Sequence, residues 1–228
     1  MSIRTDMAAE SFSQAGGAEK LQGVKVKNKV IENARLEVTD ITIETQEAAE
    51  KLGRPVGRYI TLTATDSTFD MYSDSFSERA EVIAKAIGEL CGGCERFLAV
   101  GLGNYALTSD AVGPLTAEKI FATRHIKSLA KEIDTDDLGE VTVIQPGVLG
   151  NTGIESSEQV KAIAERVTPQ AIIAVDALAC SELSNLGRTI QLCNTGISPG
   201  SGVENARKEL SLSTLGVKCI AIGVPTVI

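Results

Sequence analysis

The stretch Ala171–Val175 constrains the fold of this chain more than any other, because all five of its residues are apolar. A strand with one face in solvent alternates apolar and polar residues. A continuous apolar run is instead typical of a central parallel strand that helices cover on both faces. Asp176 follows the run directly. The sequence therefore predicts a carboxylate at the carboxyl end of a buried parallel strand, the edge at which α/β sheets bind ligands.

A second apolar run, residues 97–102, ends in Gly101-Leu102-Gly103-Asn104, and a loop then leads to Asp110 at a predicted helix start. The glycines permit a tight turn where a Cβ would clash. If the two strands are neighbours, Asp110 and Asp176 face one crevice. Two such carboxylates can act as base and acid and activate a water against an amide carbonyl. The alternative is that Asp110 only caps a helix and Asp176 is an ordinary strand-end residue.

Segments with strand and helix periodicity alternate along the chain, which predicts an α/β fold with a mostly parallel sheet. Further strands are predicted over residues 34–44, 58–65, 141–144, 189–192 and 217–223, and helices over 46–52, 75–91, 110–126, 156–167 and 204–210. Residues 1–23 show no periodicity and contain Gly16, Gly17 and Gly23. We therefore expect a mobile arm over 1–23 and a single α/β domain over 24–228.

Composition and charge exclude several classes of protein. The chain has 228 residues, of which 43% are hydrophobic, and this is enough for one large globular domain. The net charge of -8 argues against a nucleic-acid or membrane surface, since both partners are polyanionic. No signal peptide is recognisable, and no apolar run approaches the roughly 20 residues of a membrane-spanning helix. We expect a soluble intracellular protein.

Cofactor and metal chemistry have weak support in the sequence. The only paired cysteines, Cys91 and Cys94, lack the second pair that zinc usually needs, so we expect reduced structural thiols. Residues 101–104 lack the third glycine of a dinucleotide fingerprint. The only histidine, His125, lies roughly 22 Å from Asp110 along a continuous helix, which favours a packing or capping role. We expect no cofactor and no metal, although an Asp/Asp site for a hard cation stays open.

Seven ordered stretches span nearly the whole chain: residues 2–10, 101–104 with 109–114, 123–125, 145–150 with 152–155, 174–179, 194–203 and 221–227. In this order they resemble the germination protease (spore protease) family of endospore-forming bacteria. The resemblance implies a three-layer α/β/α sandwich similar to hydrogenase-maturation proteases. It also implies an endopeptidase that degrades small acid-soluble spore proteins in the cytoplasm of the spore core or forespore, made as a self-processing zymogen that assembles as a tetramer.

The resemblance also assigns residues to the site. Asp110 and Asp176 match the two aspartates implicated in catalysis. A propeptide of about residues 1–6 would be removed between Asp6 and Met7. Loops expected to shape the substrate crevice carry Gly101, Gly103, Asn104, Gly147, Gly150, Gly196 and Gly200.

Two alternatives remain at this stage: a hydrogenase-maturation-like endopeptidase, and a non-catalytic domain of the same fold. Family members usually continue past the motif at 221–227, so we expect this chain to lack their C-terminal extension.

Overall fold

Eight strands form one sheet in the computed structural model, which describes residues 5–17, 21–66, 69, 72–129, 135, 138–198 and 208–228. The strands are β1 (Val24–Ile31), β2 (Leu36–Ile43), β3 (Gly57–Ala64), β4 (Arg96–Gly101), β5 (Glu140–Ile144), β6 (Ala171–Ala179), β7 (Thr189–Cys193) and β8 (Lys218–Val227). Their order across the sheet is β1-β2-β3-β7-β8-β6-β4-β5. The apolar stretch 171–175 therefore lies in an interior strand, β6, as expected.

The sheet is mixed, and its two halves differ in strand direction. In the described residues, the contacts β8-β6, β6-β4 and β4-β5 are parallel. The contacts β1-β2, β2-β3, β3-β7 and β7-β8 are antiparallel. The α/β class is confirmed, and the expected parallel arrangement holds for the half that contains β6. It does not extend to β1 and β2, because the short link at 32–35 allows only an antiparallel neighbour.

Helices cover both faces of the sheet, which confirms the three-layer arrangement. They are α1 (Ala8–Gln14), α2 (Gln46–Leu52), α3 (Phe76–Cys91), α4 (Val112–Lys119), α5 (Arg124–Leu129), α6 (Leu149–Thr152), α7 (Ser156–Val167) and α8 (Leu212–Leu215). Alternate residues of β6 separate the two layers. Ile172 and Ala174 pack with Val160 of α7, whereas Ala171 packs with Leu90 of α3 on the other face. Helices α2 and α7 have the predicted bounds.

The predicted helix over 110–126 is wrong. A 3-10 turn at Thr108–Asp110 precedes α4, and the chain becomes extended at Ile120 before α5 begins. The break has a local cause: the Thr123 hydroxyl accepts a hydrogen bond from the Val141 N–H at 2.8 Å, which fastens this segment to β5. The estimate of 22 Å between Asp110 and His125 therefore does not apply.

The expected mobile arm over 1–23 is wrong for the residues that the structure describes. Residues 8–14 form α1, and Met7 and Ala8 are buried in the core. Strand β1 was not expected, and β6 continues to Ala179, so Asp176 lies within the strand and not after its end. Most of the predicted helix at 204–210 lies outside the described residues. Its last residue, Leu210, forms a strand-like bridge with Ile197 instead.

Two further expectations concern the cysteine thiols and membrane-spanning helices. None of the five cysteines forms a disulfide, as expected for reduced thiols. No helix within the described ranges is long and apolar enough to span a membrane.

Helix α4 lies close to the end of β4 and the middle of β6, and two glycines make this contact possible. A Cβ at Gly113 would overlap the carbonyl oxygens of Leu102 and Val175 and lie 2.6 Å from the Leu102 nitrogen. A Cβ at Gly101 would lie 2.7 Å from the Gly113 carbonyl carbon and 2.8 Å from the Ala117 Cβ. The N-terminus of α4 is thus seated directly on the backbone of two central strands.

We expect Gly113→Ala to lower the free energy of unfolding by about 1–3 kcal/mol, the usual cost of overpacking. The added methyl group meets backbone atoms that cannot rotate away. Gly88→Ala is the matched control, because its Cβ meets nothing within 4 Å in the exposed part of α3. That control should gain about 0.5–1 kcal/mol from the better helix propensity of alanine. Urea unfolding of both variants measures the difference, and equal stabilities would contradict the close contact.

Candidate active site

Asp110 is held in a tight loop that follows β4. The Asn104 N–H donates both to Asp110 Oδ2 and to the Asp110 main-chain oxygen, each at 2.9 Å. Gly103 has a φ of 111°, and a Cβ there would lie 2.9 Å from Asp110 Oδ1 and overlap the Asp110 main-chain oxygen. The glycine turn predicted from the sequence therefore shapes the surroundings of this carboxylate directly.

Asp176 lies in β6 at the level where β4 ends. It is 4% exposed, and its Oδ1 accepts a hydrogen bond from the Ala177 N–H at 2.9 Å. The carbonyl of the preceding residue, Val175, accepts a hydrogen bond from the Leu102 N–H at 2.9 Å. Leu102 is two residues before Asn104, which binds Asp110. Both aspartates are therefore fixed to the same short stretch of backbone at one edge of the sheet.

A cavity of about 680 Å³ lies over the same sheet, next to the N-terminal segment. Its lining includes Asp6, Arg54, Tyr59, Gln191 and Gly196. Neither Asp110 nor Asp176 is among the described residues that line it. Two neighbours of Asp176 do line it: Leu178, two residues further along β6, and Gly223, the residue opposite Asp176 in β8.

The N-terminal segment, residues 5–7, crosses this region and bends at Asp6 before α1 begins. The Asp6 N–H donates to the Ala179 carbonyl at 2.8 Å, and the Ala179 N–H donates to Asp6 Oδ2 at 2.9 Å. Arg54 donates to the Thr5 carbonyl. The Met7 side chain is 1% exposed and packs with Leu178 and Cys180. The bond expected to be cleaved, Asp6–Met7, is thus docked against the end of the strand that carries Asp176.

The model of the germination protease family matches residues 3–228, nearly the whole chain. The chain belongs to the germination protease family. It is accordingly a member of a peptidase family.

Two relatives from this family are similar to the chain over its full length. The germination protease of Clostridium tetani is 41% identical over 234 residues, which cover 100% of this chain and 71% of that protein. The germination protease of Clostridium perfringens (strain ATCC 13124) is 39% identical over 231 residues, covering 99% of this chain and 70% of that protein. Both relatives are therefore longer than this chain.

A solved structure with some likeness is the [NiFe] hydrogenase maturation protease HycI from Thermococcus kodakarensis. It is 20% identical, with a TM-score of 0.40, and the match covers 61% of this chain and 80% of that one.

The glycine loops expected around a germination-protease crevice do not all lie next to the aspartates or the cavity. Gly103 and Asn104 contact Asp110, Gly101 lies against Gly113 and Ala117 of α4, and Gly196 lines the cavity. Gly147 and Gly150 follow β5, which is separated from β6 by β4, and the described cavity lining does not include them. Gly200 lies outside the described residues.

Sequence reasoning missed two polar residues that hold the N-terminal segment in place, Gln191 of β7 and Glu10 of α1 itself. Gln191 is 6% exposed; its Nε2 donates to the Asp6 carbonyl at 3.1 Å, and its Oε1 accepts from the Ala8 N–H at 2.6 Å. Its signal in the sequence was a long polar side chain between Ile190 and Leu192 in a predicted strand.

Glu10, in the first turn of α1, is buried at 5% exposure. Its carboxylate accepts hydrogen bonds from the Ser181 N–H at 2.7 Å, the Ser181 hydroxyl at 2.6 Å, the Glu182 N–H at 3.2 Å and Asn185 Nδ2 at 2.6 Å. Burial alone would raise the pKa of the Glu10 carboxyl, but the hydrogen bonds from Ser181, Thr5 and Asn185 outweigh it and lower the pKa below its ordinary value of 4.5. The carboxylate is thus an anchor for α1.

The remaining candidates lie away from the aspartates. His125 is exposed on α5. Burial raises the pKa of the Cys91 thiol, and Cys94 donates to the Cys91 carbonyl at 3.0 Å, which fits a structural role. Within the described ranges, no group of three or more His, Cys, Asp or Glu side chains could hold a metal ion.

We expect Glu10→Gln to lower the free energy of unfolding by about 1.5–3 kcal/mol, the range for hydrogen bonds to charged groups. The glutamine amide would turn a donor towards groups that are themselves donors. The exposed Glu81 of α3 provides the control, and Glu81→Gln should change stability by less than about 0.5 kcal/mol. Chemical unfolding at neutral pH measures both, and a Glu10→Gln variant as stable as its control would contradict the anchor.

The comparison of wild type with Glu10→Gln also predicts how stability depends on pH. Because the folded state lowers the pKa of Glu10 below 4.5, its charge contributes stability that is fully present above that pH. The contribution is lost as the pH falls through the lower folded value. The stability difference between wild type and Glu10→Gln should therefore be constant from about pH 6 to 8 and shrink below about pH 4.5. A difference that grew on acidification would show that the pKa is raised instead.

Proposed function

We propose that this chain is an endopeptidase that initiates the degradation of small acid-soluble spore proteins during spore germination. Asp110 and Asp176 are its catalytic carboxylates. The observation that carries the proposal is the backbone link between them: the Leu102 N–H binds the carbonyl of Val175, and the Asn104 N–H binds Asp110. A peptidase that uses two carboxylates needs them held at one site, and this link supports such an arrangement.

The proposed chemistry is hydrolysis of a peptide bond by an activated water. One carboxylate accepts a proton from the water, whose oxygen bonds to the scissile carbonyl carbon. The C–N bond then breaks, and the second carboxyl group gives a proton to the departing nitrogen. The products are a new carboxylate and a new amine.

We propose further that the chain is made as a zymogen and removes its own residues 1–6 by cleavage between Asp6 and Met7. The two hydrogen bonds of Asp6 with Ala179, three residues beyond Asp176, support self-processing, because they hold this bond at the strand that carries one of the proposed catalytic aspartates. Assembly as a homotetramer and action in the cytoplasm of the spore core or forespore belong to the same proposal and rest on the family resemblance.

We expect Asp176→Asn and Asp110→Asn each to slow cleavage by about 10²–10⁴-fold, the usual contribution of an acid or base group. Purified chain is incubated with a small acid-soluble spore protein, and the fragments are followed by mass spectrometry. Intact mass in the same samples reports the loss of residues 1–6. Asp74→Asn is the matched control, because Asp74 is exposed before α3.

Two results would overturn this proposal in different ways. An Asp176→Asn variant that cuts as fast as the control would show that the carboxylate pair is not the catalyst. A wild-type chain that cuts neither the spore protein nor itself would instead identify a non-catalytic domain of the same fold.

A further inference from the structure

The side-chain amide of Gln191 contacts the docked N-terminal segment on both sides of Met7. Its Nε2 donates to the Asp6 carbonyl at 3.1 Å, and its Oε1 accepts from the Ala8 N–H at 2.6 Å. The bond between these two contacts that involves the Asp6 carbonyl carbon is Asp6–Met7, the bond proposed to be cleaved. Gln191 therefore contacts the carbonyl oxygen on which negative charge would develop during hydrolysis.

Strand pairing puts Gln191 in one row with Asp176. Gln191 of β7 is opposite Gly223 of β8, and Gly223 is opposite Asp176 of β6. Residues directly opposite one another in a sheet present their side chains to the same face. Two strand spacings separate Gln191 from Asp176, about 10 Å between their Cα atoms. The Leu178 side chain of β6 covers Gly223, the residue between them, so the amide and the carboxylate flank Leu178 on the same face of the sheet.

Little space remains over Gly223 once the Leu178 side chain and the N-terminal segment are in place. A Cβ at Gly223 would overlap the Leu178 side chain, and Leu178 packs against Met7. The Met7 side chain is thus held on the side of the bond that becomes the new N-terminus, while Gln191 holds the carbonyl on the other side. Asp6 is held independently through its two hydrogen bonds with Ala179.

We propose that Gln191 binds and polarises the scissile carbonyl, an inference that rests on the proposed function and adds a residue to it. When water adds to the Asp6 carbonyl carbon, the C=O electrons move to its oxygen, and the Gln191 Nε2–H stabilises the resulting negative charge. The oxygen returns those electrons as the C–N bond breaks. The Met7 nitrogen then takes a proton from the carboxyl group of the Asp110/Asp176 pair that acts as the acid. The Gln191 Oε1 meanwhile keeps the product side in register through Ala8.

The two contacts of the amide can be separated by substitution. Gln191→Glu keeps an oxygen that can accept the Ala8 N–H but removes the donor to the Asp6 carbonyl. Gln191→Met removes both contacts at similar volume and carries no charge. The exposed Gln46 at the start of α2 provides the control Gln46→Glu.

The experiment follows self-cleavage of the full chain between Asp6 and Met7 by intact mass, together with hydrogen exchange of the Ala8 amide. We expect Gln191→Glu to cleave about 10²–10³-fold more slowly than Gln46→Glu, the usual loss for one oxyanion donor, with the Ala8 amide still protected. Gln191→Met should lose both cleavage and protection. A purely structural role would make rate and protection fall together in both variants. Thermal unfolding confirms that each variant is folded.

Three outcomes overturn the inference. If Gln191→Glu cleaves within about threefold of the control, or if Gln191→Met does, the carbonyl contact does not contribute to catalysis. If Gln191→Glu loses rate and protection together, Gln191 only holds the segment. In each of these cases the wild type still cleaves, so the proposed function stands. If the wild type leaves the Asp6–Met7 bond intact, the proposed self-processing fails and the catalytic role of Gln191 fails with it, while the spore-protein assay decides the endopeptidase activity separately.

Discussion

The contact between the end of β4 and the middle of β6 determines the rest of this site. Gly113 lets the first turn of α4 rest on the carbonyl oxygens of Leu102 and Val175, and Gly101 leaves room for the Gly113 carbonyl. Because α4 cannot be displaced without breaking this contact, the loop between β4 and α4 has a fixed start and a fixed end. Asp110 is in that loop, and Asp176 follows Val175 directly. The same backbone contact therefore sets the positions of both aspartates.

Buried polar side chains and backbone groups hold the N-terminal segment in place. A carboxylate such as Glu10 is costly to remove from water unless donors replace the water, and here Ser181, Glu182 and Asn185 supply them. Gln191 Nε2 likewise donates to the Asp6 carbonyl, and the Ala179 N–H donates to the Asp6 carboxylate. Hydrogen bonds to a peptide backbone recognise any extended chain of suitable sequence. A substrate with the same arrangement of residues would therefore meet the same groups.

The sequence predicted those parts of the molecule that depend on local patterns. The apolar run at 171–175, the amphipathic helices α2 and α7 and the glycine turn around Gly103 follow from periodicity and backbone sterics, and the structure contains them. The break between α4 and α5 depends on a hydrogen bond that the Thr123 hydroxyl accepts from the Val141 N–H of β5. Burial of residues 7–10 depends on partners more than 170 positions away, such as Gln191 and Ser181. No periodicity within the segment could reveal such contacts.

Gly223 lets the Leu178 side chain lie directly on the sheet between Gln191 and Asp176. On the same face of β8, Ala221 and Cys219 pack into the core. Gly223 presents no side chain, and Leu178 covers it from β6. A larger residue at 223 would push Leu178 away from its place against Met7. This glycine therefore sets how closely Met7, and with it the Asp6–Met7 bond, approaches the sheet between the two side chains of the proposed site.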